Sequence, residues 1–141
     1  MGIDLNVNVA EAAAMNNPFD FVKNVRTGGD WDYKGKKIYN KYGGDFMDAF
    51  GNWHFGAVAN AYGFNLETSM LGGGGYQVAV QGGGSSAGLA GGSFLWQQSG
   101  YGYLMPDSIT RALTNGGFTW GDNPGDAINV MNGWDYYNAN Y

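Results

Sequence analysis

The feature that most constrains this chain is the apolar period running from Phe46 to Gly63. Phe46, Phe50, Trp53, Ala57 and Ala61 recur at three- and four-residue spacing. That spacing predicts one buried face of a helix over about 45–62, with Asp45 as its cap. The same stretch carries the only histidine, His54, so a core element and a candidate catalytic group share residues. Gly51 and Gly56 fall inside the period. Each costs a helix about 1 kcal/mol relative to alanine, so their presence predicts close approach by another backbone or a ligand.

The remaining segments predict further helices around this one. Alanines favour a short helix at 7–15, and Asn17-Pro18 supplies a cap and a first-turn proline for a second at about 18–27. Asn65 fits as the cap of a helix at 66–71, resuming over 76–80. Residues 106–115 form a short helix stopped by Gly116-Gly117, and a last helix spans about 124–132, capped by Asn123 and ended by Gly133. Between them, residues 72–103 are rich in Gly and Ser with interspersed aromatics, which predicts a loop or a small hairpin at 93–104. The expected architecture is therefore a mainly α-helical, compact single domain over 1–141 with a Gly-rich insertion.

Composition excludes several function classes. The net charge of −5 argues against a protein built to displace counterions from phosphates, although six of the seven cations lie between Lys23 and Lys41. The absence of cysteine removes disulfides, thiolate nucleophiles and Cys-based zinc sites. No apolar run approaches the roughly 20 residues of a membrane span, and the N-terminus lacks the basic start and apolar core of a signal peptide. A charged fraction of only 13% against 16% aromatics leans toward extracellular proteins and saccharide-binding surfaces.

No nucleophile elbow, zincin, P-loop or dinucleotide fingerprint is present, and neither a cofactor nor a metal is expected. The candidate chemistry lies in scattered polar groups. Asp122 and Asp126 in the run Gly121-Asp122-Asn123-Pro124-Gly125-Asp126 are placed to share a substrate, a proton or a metal, but a helix start explains Asp126 equally well. His54 serves as a general base only if Asp32 or Asp122 orients it. Glu11, flanked by Ala and Val, acts as a general acid if it faces an apolar pocket that raises its pKa. Asp30-Trp31-Asp32-Tyr33-Lys34 packs two acids, two aromatics and a lysine into five residues, which marks Trp31, Tyr33 and Lys34 as candidate substrate contacts.

Four stretches, Val7 to Met15, Phe21 to Lys34, Phe50 to Gly63 and Trp120 to Tyr137, occur in the order and rough spacing of the bacterial toxin 44 family. The chain resembles that family through its WDYK, FGN-x-x-x-GA and GD-x-P-x-D motifs. The resemblance implies a C-terminal effector domain of a secreted bacterial protein, delivered against competing bacteria and neutralised by a cognate immunity protein. It implies polar functional positions at Asp32, Asn52, His54, Gln77, Asp122 and Asp126. Two departures stand out: Asn123 occupies a place where the family often has a second acid, and the Gly-rich segment is expanded.

The resulting expectation is a hydrolase that cuts the glycan strand of peptidoglycan in the target periplasm. Glu11 is the expected acid and Asp32 or Asp122 its partner. His54, Trp53, Asn52 and Gln77 position substrate. An RNase with His54 as acid/base and phosphates held by Lys34–Lys41 is the alternative. A non-enzymatic saccharide-binding module, needing the aromatics but none of the acids, is a third.

Overall fold

The computed structural model describes residues 1–72 and 106–141, and among these the chain is helical with no strand. The insertion beyond Gly72, the expected hairpin at 93–104, the resumed helix at 76–80 and Gln77 lie outside the described residues. Helix α1 spans Leu5–Ala14 and is capped by Asp4, whose carboxylate accepts from the amides of Asn6 and Val7. Helix α2 spans Pro18–Val25 with Asn17 as the expected side-chain cap. A 3-10 helix over Lys37–Tyr42 leads into α3, Gly44–Tyr62. Gly63 adopts the left-handed conformation at φ 107° and stops α3. Asn65 then caps α4, residues 66–72, by accepting from the Thr68 amide. Helix α5 covers Asp107–Asn115 and α6 covers Asp126–Asn140.

The organising contact is α3 against α6. Their backbones cross so closely that a Cβ on Gly56 would stand 1.9 Å from the Val130 carbonyl oxygen, and one on Gly133 would stand 1.8 Å from that of Trp53. Both glycines are therefore steric requirements of the crossing. This bears out the expectation for Gly56 and corrects the one for Gly133. The last helix does not end there but runs on to Asn140, because the residue read as a stop signal is the point at which α3 passes.

Two apolar clusters flank the crossing. Phe21, Trp31, Tyr33, Met47, Val58, Ala59 and Phe64 form one beneath α1 and α2. Leu66, Met70, Trp120, Val130, Met131 and Trp134 form the other, and Phe55 touches both. The buried face of α3 agrees with the predicted period only in its second half. Ala57 and Ala61 are buried as expected, together with Met47, His54 and Val58, whereas Phe46 is 51% exposed and Phe50 and Trp53 are half-buried. The bulky rings line a rim, and small residues fill the tight contact with α6.

A second correction concerns the start of α6. Asn123 does not cap it; the cap position is Gly125, left-handed at φ 91°, and no side chain supplies the cap. The connection before it is shaped by positive φ values at Gly117, Trp120, Gly121 and Gly125. Trp120 is held there by burial and by donating Nε1–H to Thr114 Oγ1 at 2.9 Å. This bent, anchored connection turns Asp122 back toward α6.

Candidate active site

Asp122 and Asp126 lie side by side at the N-terminus of α6, sharing a side-chain hydrogen bond. Asp126 is buried at the first turn of the helix, and Asp122 is half-buried in the connection. Burial, reinforced by the neighbouring Asp126 charge and by its own role as hydrogen-bond donor, pushes the Asp122 carboxyl up to about 7. Burial and the negative charge of Asp48 raise Asp126 as well, but accepting from Asp122 pulls it back. Both carboxyls are thus held above the ordinary carboxylate range, and the two titrate together as one unit. The Asn123 amide donates to Asp122 Oδ1 at 2.9 Å and fixes that side chain.

Three more side chains complete the cluster. Lys34 Nζ donates to Asp48 Oδ1 at 2.9 Å, and its stem lies 3.8 Å from the place where a Cβ on Gly51 would be. Gly51 therefore leaves α3 bare where the lysine crosses it. The Lys34 charge lowers the pKa of both Asp122 and Asp126. Asp48 and Asn52 stand four residues apart on one face of α3. Asn52 acts on Asp126 to favour its charged form, yet its Nδ2 is enclosed and has no hydrogen bond of ordinary geometry. It is a donor held beside the carboxylate and available to it without solvent. Among the described residues, no group of three or more His, Asp or Glu side chains is arranged to hold a metal ion.

The other expected site residues are placed elsewhere. His54 is 1% exposed on a different side of α3, ringed by Trp31, Tyr33 and Phe50 at centroid distances of 5.9, 4.9 and 6.0 Å. Its Nε2 meets Asn8 Nδ2 at 2.9 Å, and Asn8 also donates to the Tyr33 hydroxyl at 2.5 Å. Burial lowers the imidazole to about 4, so it is neutral at pH 7, and no carboxylate orients it. Asp32 accepts from the amides of Gly28 and Gly35 at 2.9 and 3.1 Å and closes the loop that carries Lys34. Glu11 is exposed on α1 and lacks the apolar pocket that a general acid there would need. Trp31 and Tyr33 are core residues, and Trp53 packs edge-on against Tyr136 at 4.9 Å. Sequence reasoning missed Asp48; its position four residues before Asn52 was the signal that placed it on the same helix face.

The family described as Bacterial toxin 44 matches residues 20–139, nearly the whole chain. The chain belongs to that family. No curated protein and no solved structure matches it. In this toxin 44 domain, the three motifs that carry the resemblance converge. WDYK contributes Lys34, FGN contributes Asn52, and GD-x-P-x-D contributes Asp122 and Asp126.

Proposed function

We propose that this toxin domain is an antibacterial effector that hydrolyses the glycan strand of peptidoglycan, with Asp122 and Asp126 as its working carboxyls. The observation that carries the reading is the pair itself: two carboxyls in hydrogen-bond contact at the start of α6, where burial and the neighbouring charge raise Asp122 to about 7, into the range where a proton is exchanged near neutral pH. Glycoside cleavage asks for a protonated carboxyl at the leaving oxygen and negative charge beside the cationic sugar ring that develops; carboxyls in hydrogen-bond contact stand closer than the roughly 5 Å or more of a flanking pair, so Asp126 serves by raising the Asp122 pKa and by its charge, not from the opposite face of the ring. Asp122 protonates the glycosidic oxygen as the C–O bond breaks. Asp126 and Asp48 stabilise the oxocarbenium-like charge. A water then adds its hydroxyl to the anomeric carbon and returns its proton to Asp122. A phosphodiester would bring negative charge against Asp126 and Asp48, and His54 is neither exposed nor protonatable near neutral pH, so an RNase reading based on it loses its acid/base.

The reading implies delivery to the periplasm of a target cell and neutralisation by a cognate immunity protein. The test is to express the domain in bacteria with and without a periplasmic signal and to digest purified sacculi with it. Lysis only on export, with new reducing ends released from sacculi, is the expected result. Toxicity confined to the cytoplasm with loss of RNA would overturn it.

A further inference from the structure

Away from the carboxyl pair, the 3-10 helix and the first turns of α3 build a face that the fold itself does not use. Ile38 is 70% exposed, Phe46 51% and Tyr42 37%. These are not isolated side chains. Ring centroids run from Tyr33 to Tyr39 at 5.8 Å, Tyr39 to Tyr42 at 6.5 Å, Tyr42 to Phe46 at 6.4 Å and Phe46 to Phe50 at 6.5 Å. The face is therefore a preformed aromatic ladder whose inner end is rooted in the core. Lysines border it. Lys41 lies over the Tyr42 ring at 5.0 Å and Lys36 over Tyr33 at 5.1 Å, while Lys37 and Lys41 are exposed. Among the described residues, none of these three lysines makes an ion pair.

We propose that this face is the docking surface for an acidic partner protein, one that presents carboxylates around an apolar pocket receiving Ile38 and Phe46. Charge complementarity selects the partner. In a chain of net charge −5, the window from Lys36 to Met47 holds three lysines against the single acid Asp45. A partner that avoids the rest of this acidic surface is steered here. The anatomy favours a protein over a polyanion. An apolar centre with a charged rim is how protein interfaces are built, whereas three lysines without an arginine offer little to a phosphate backbone. Rings already fixed by their neighbours lose little freedom on binding. The face is also separate from the carboxyl pair. Phe46 and Asp48 are two residues apart, about 200° around α3, so a partner seated on Ile38 and Phe46 does not contact Asp48 through that helix face.

The inference rests on the toxin reading above, which supplies the probe: the purified cognate immunity protein, titrated calorimetrically against the folded domain. Ile38→Asp and Phe46→Asp are each expected to weaken binding about thirtyfold or more. Combined reversal of Lys36, Lys37 and Lys41 to Glu is expected to weaken it about tenfold or more, mostly through a slower, less salt-dependent on-rate. Asp122→Asn should leave the affinity unchanged. Ile38, Phe46, Lys37 and Lys41 are exposed, whereas Lys36 is half-buried and donates to the Asp30 carbonyl, and unchanged thermal melts confirm that the variants fold. Three results would overturn the proposal. They are no binding by the immunity protein, binding indifferent to the face variants, or binding lost in Asp122→Asn. A face that instead binds a single-stranded RNA oligonucleotide or phosphatidylglycerol vesicles, and not the protein, would also sink it.

Discussion

Two of the buried titratable sites lie on different sides of α3, and they are built to opposite ends. At His54, burial meets only neutral partners: aromatic rings, the Asn8 amide and, through it, the Tyr33 hydroxyl. The imidazole is simply driven neutral. At Asp122 and Asp126, burial meets a second carboxyl, the Lys34 ammonium and the enclosed amide of Asn52. There burial and a neighbouring acid's charge raise both carboxyls, Asp122 to about 7, near the pH at which proton transfer is useful. Burial and a shifted pKa are common to both sites. What separates them is whether the neighbours hold both a proton and a charge ready for exchange, and whether the group reaches an accessible face, as the half-buried Asp122 does.

Substitution can break that contrast. Asp122→Asn keeps the shape of the pair but removes its transferable proton, so toxicity and sacculus hydrolysis should fall about 100- to 10,000-fold with the fold intact. Full activity in a folded Asp122→Asn protein would end the assignment. His54→Gln should do the reverse. Loss of buried packing and of the Asn8 contact should cost roughly 1–3 kcal/mol of stability by denaturant titration, while the surviving folded protein keeps its specific activity. Loss of activity without loss of stability would return His54 to the site.

The two sites also pull stability in opposite directions with pH. The His54 pKa is lowered from 6.5 to about 4, so the folded state binds fewer protons than the unfolded chain in that window and stability rises with pH across it. The Asp122 pKa is raised from 3.8 to about 7, so the folded state binds more protons and stability falls as pH climbs toward 7. Asp122→Asn should shrink the falling component, part of which Asp126 retains through burial and Asp48, and leave the rising one, which chemical denaturation between pH 4 and 8 would reveal; an unchanged profile would contradict the raised Asp122 pKa. The smallest expected effect belongs to Lys34→Met. The exposed Lys34–Asp48 pair contributes little to stability, roughly 0–1 kcal/mol. Its charge lowers the Asp122 pKa, so removing it should move the alkaline limb of the pH–activity profile upward. A profile that stays in place would show that Lys34 does not act on the pair.

Much of this was legible in the sequence. The caps at Asn17 and Asn65 and the left-handed stop at Gly63 follow from local chemistry that acts within a few residues. The family and the helical class were legible too, because motif order and apolar period are one-dimensional properties. Which face of α3 is buried was legible only in its second half, at Ala57 and Ala61. The aromatic period marked Phe46, Phe50 and Trp53, but the crossing with α6 required small residues, leaving those rings on the rim. Gly133 was misread for the same reason, since a glycine that ends a helix and one that admits a neighbouring backbone look alike in a string of letters. The acid pair was visible as a spacing, and only its tertiary surroundings settled its character. Burial, Lys34 arriving beside Gly51, and Asn52 and Asp48 projecting from α3 set how readily the two acids ionise. The same burial, without any charged neighbour, makes His54 an inert member of the core. Local conformational preference and periodicity are written in the chain itself, whereas desolvation and long-range charge exist only once distant segments meet.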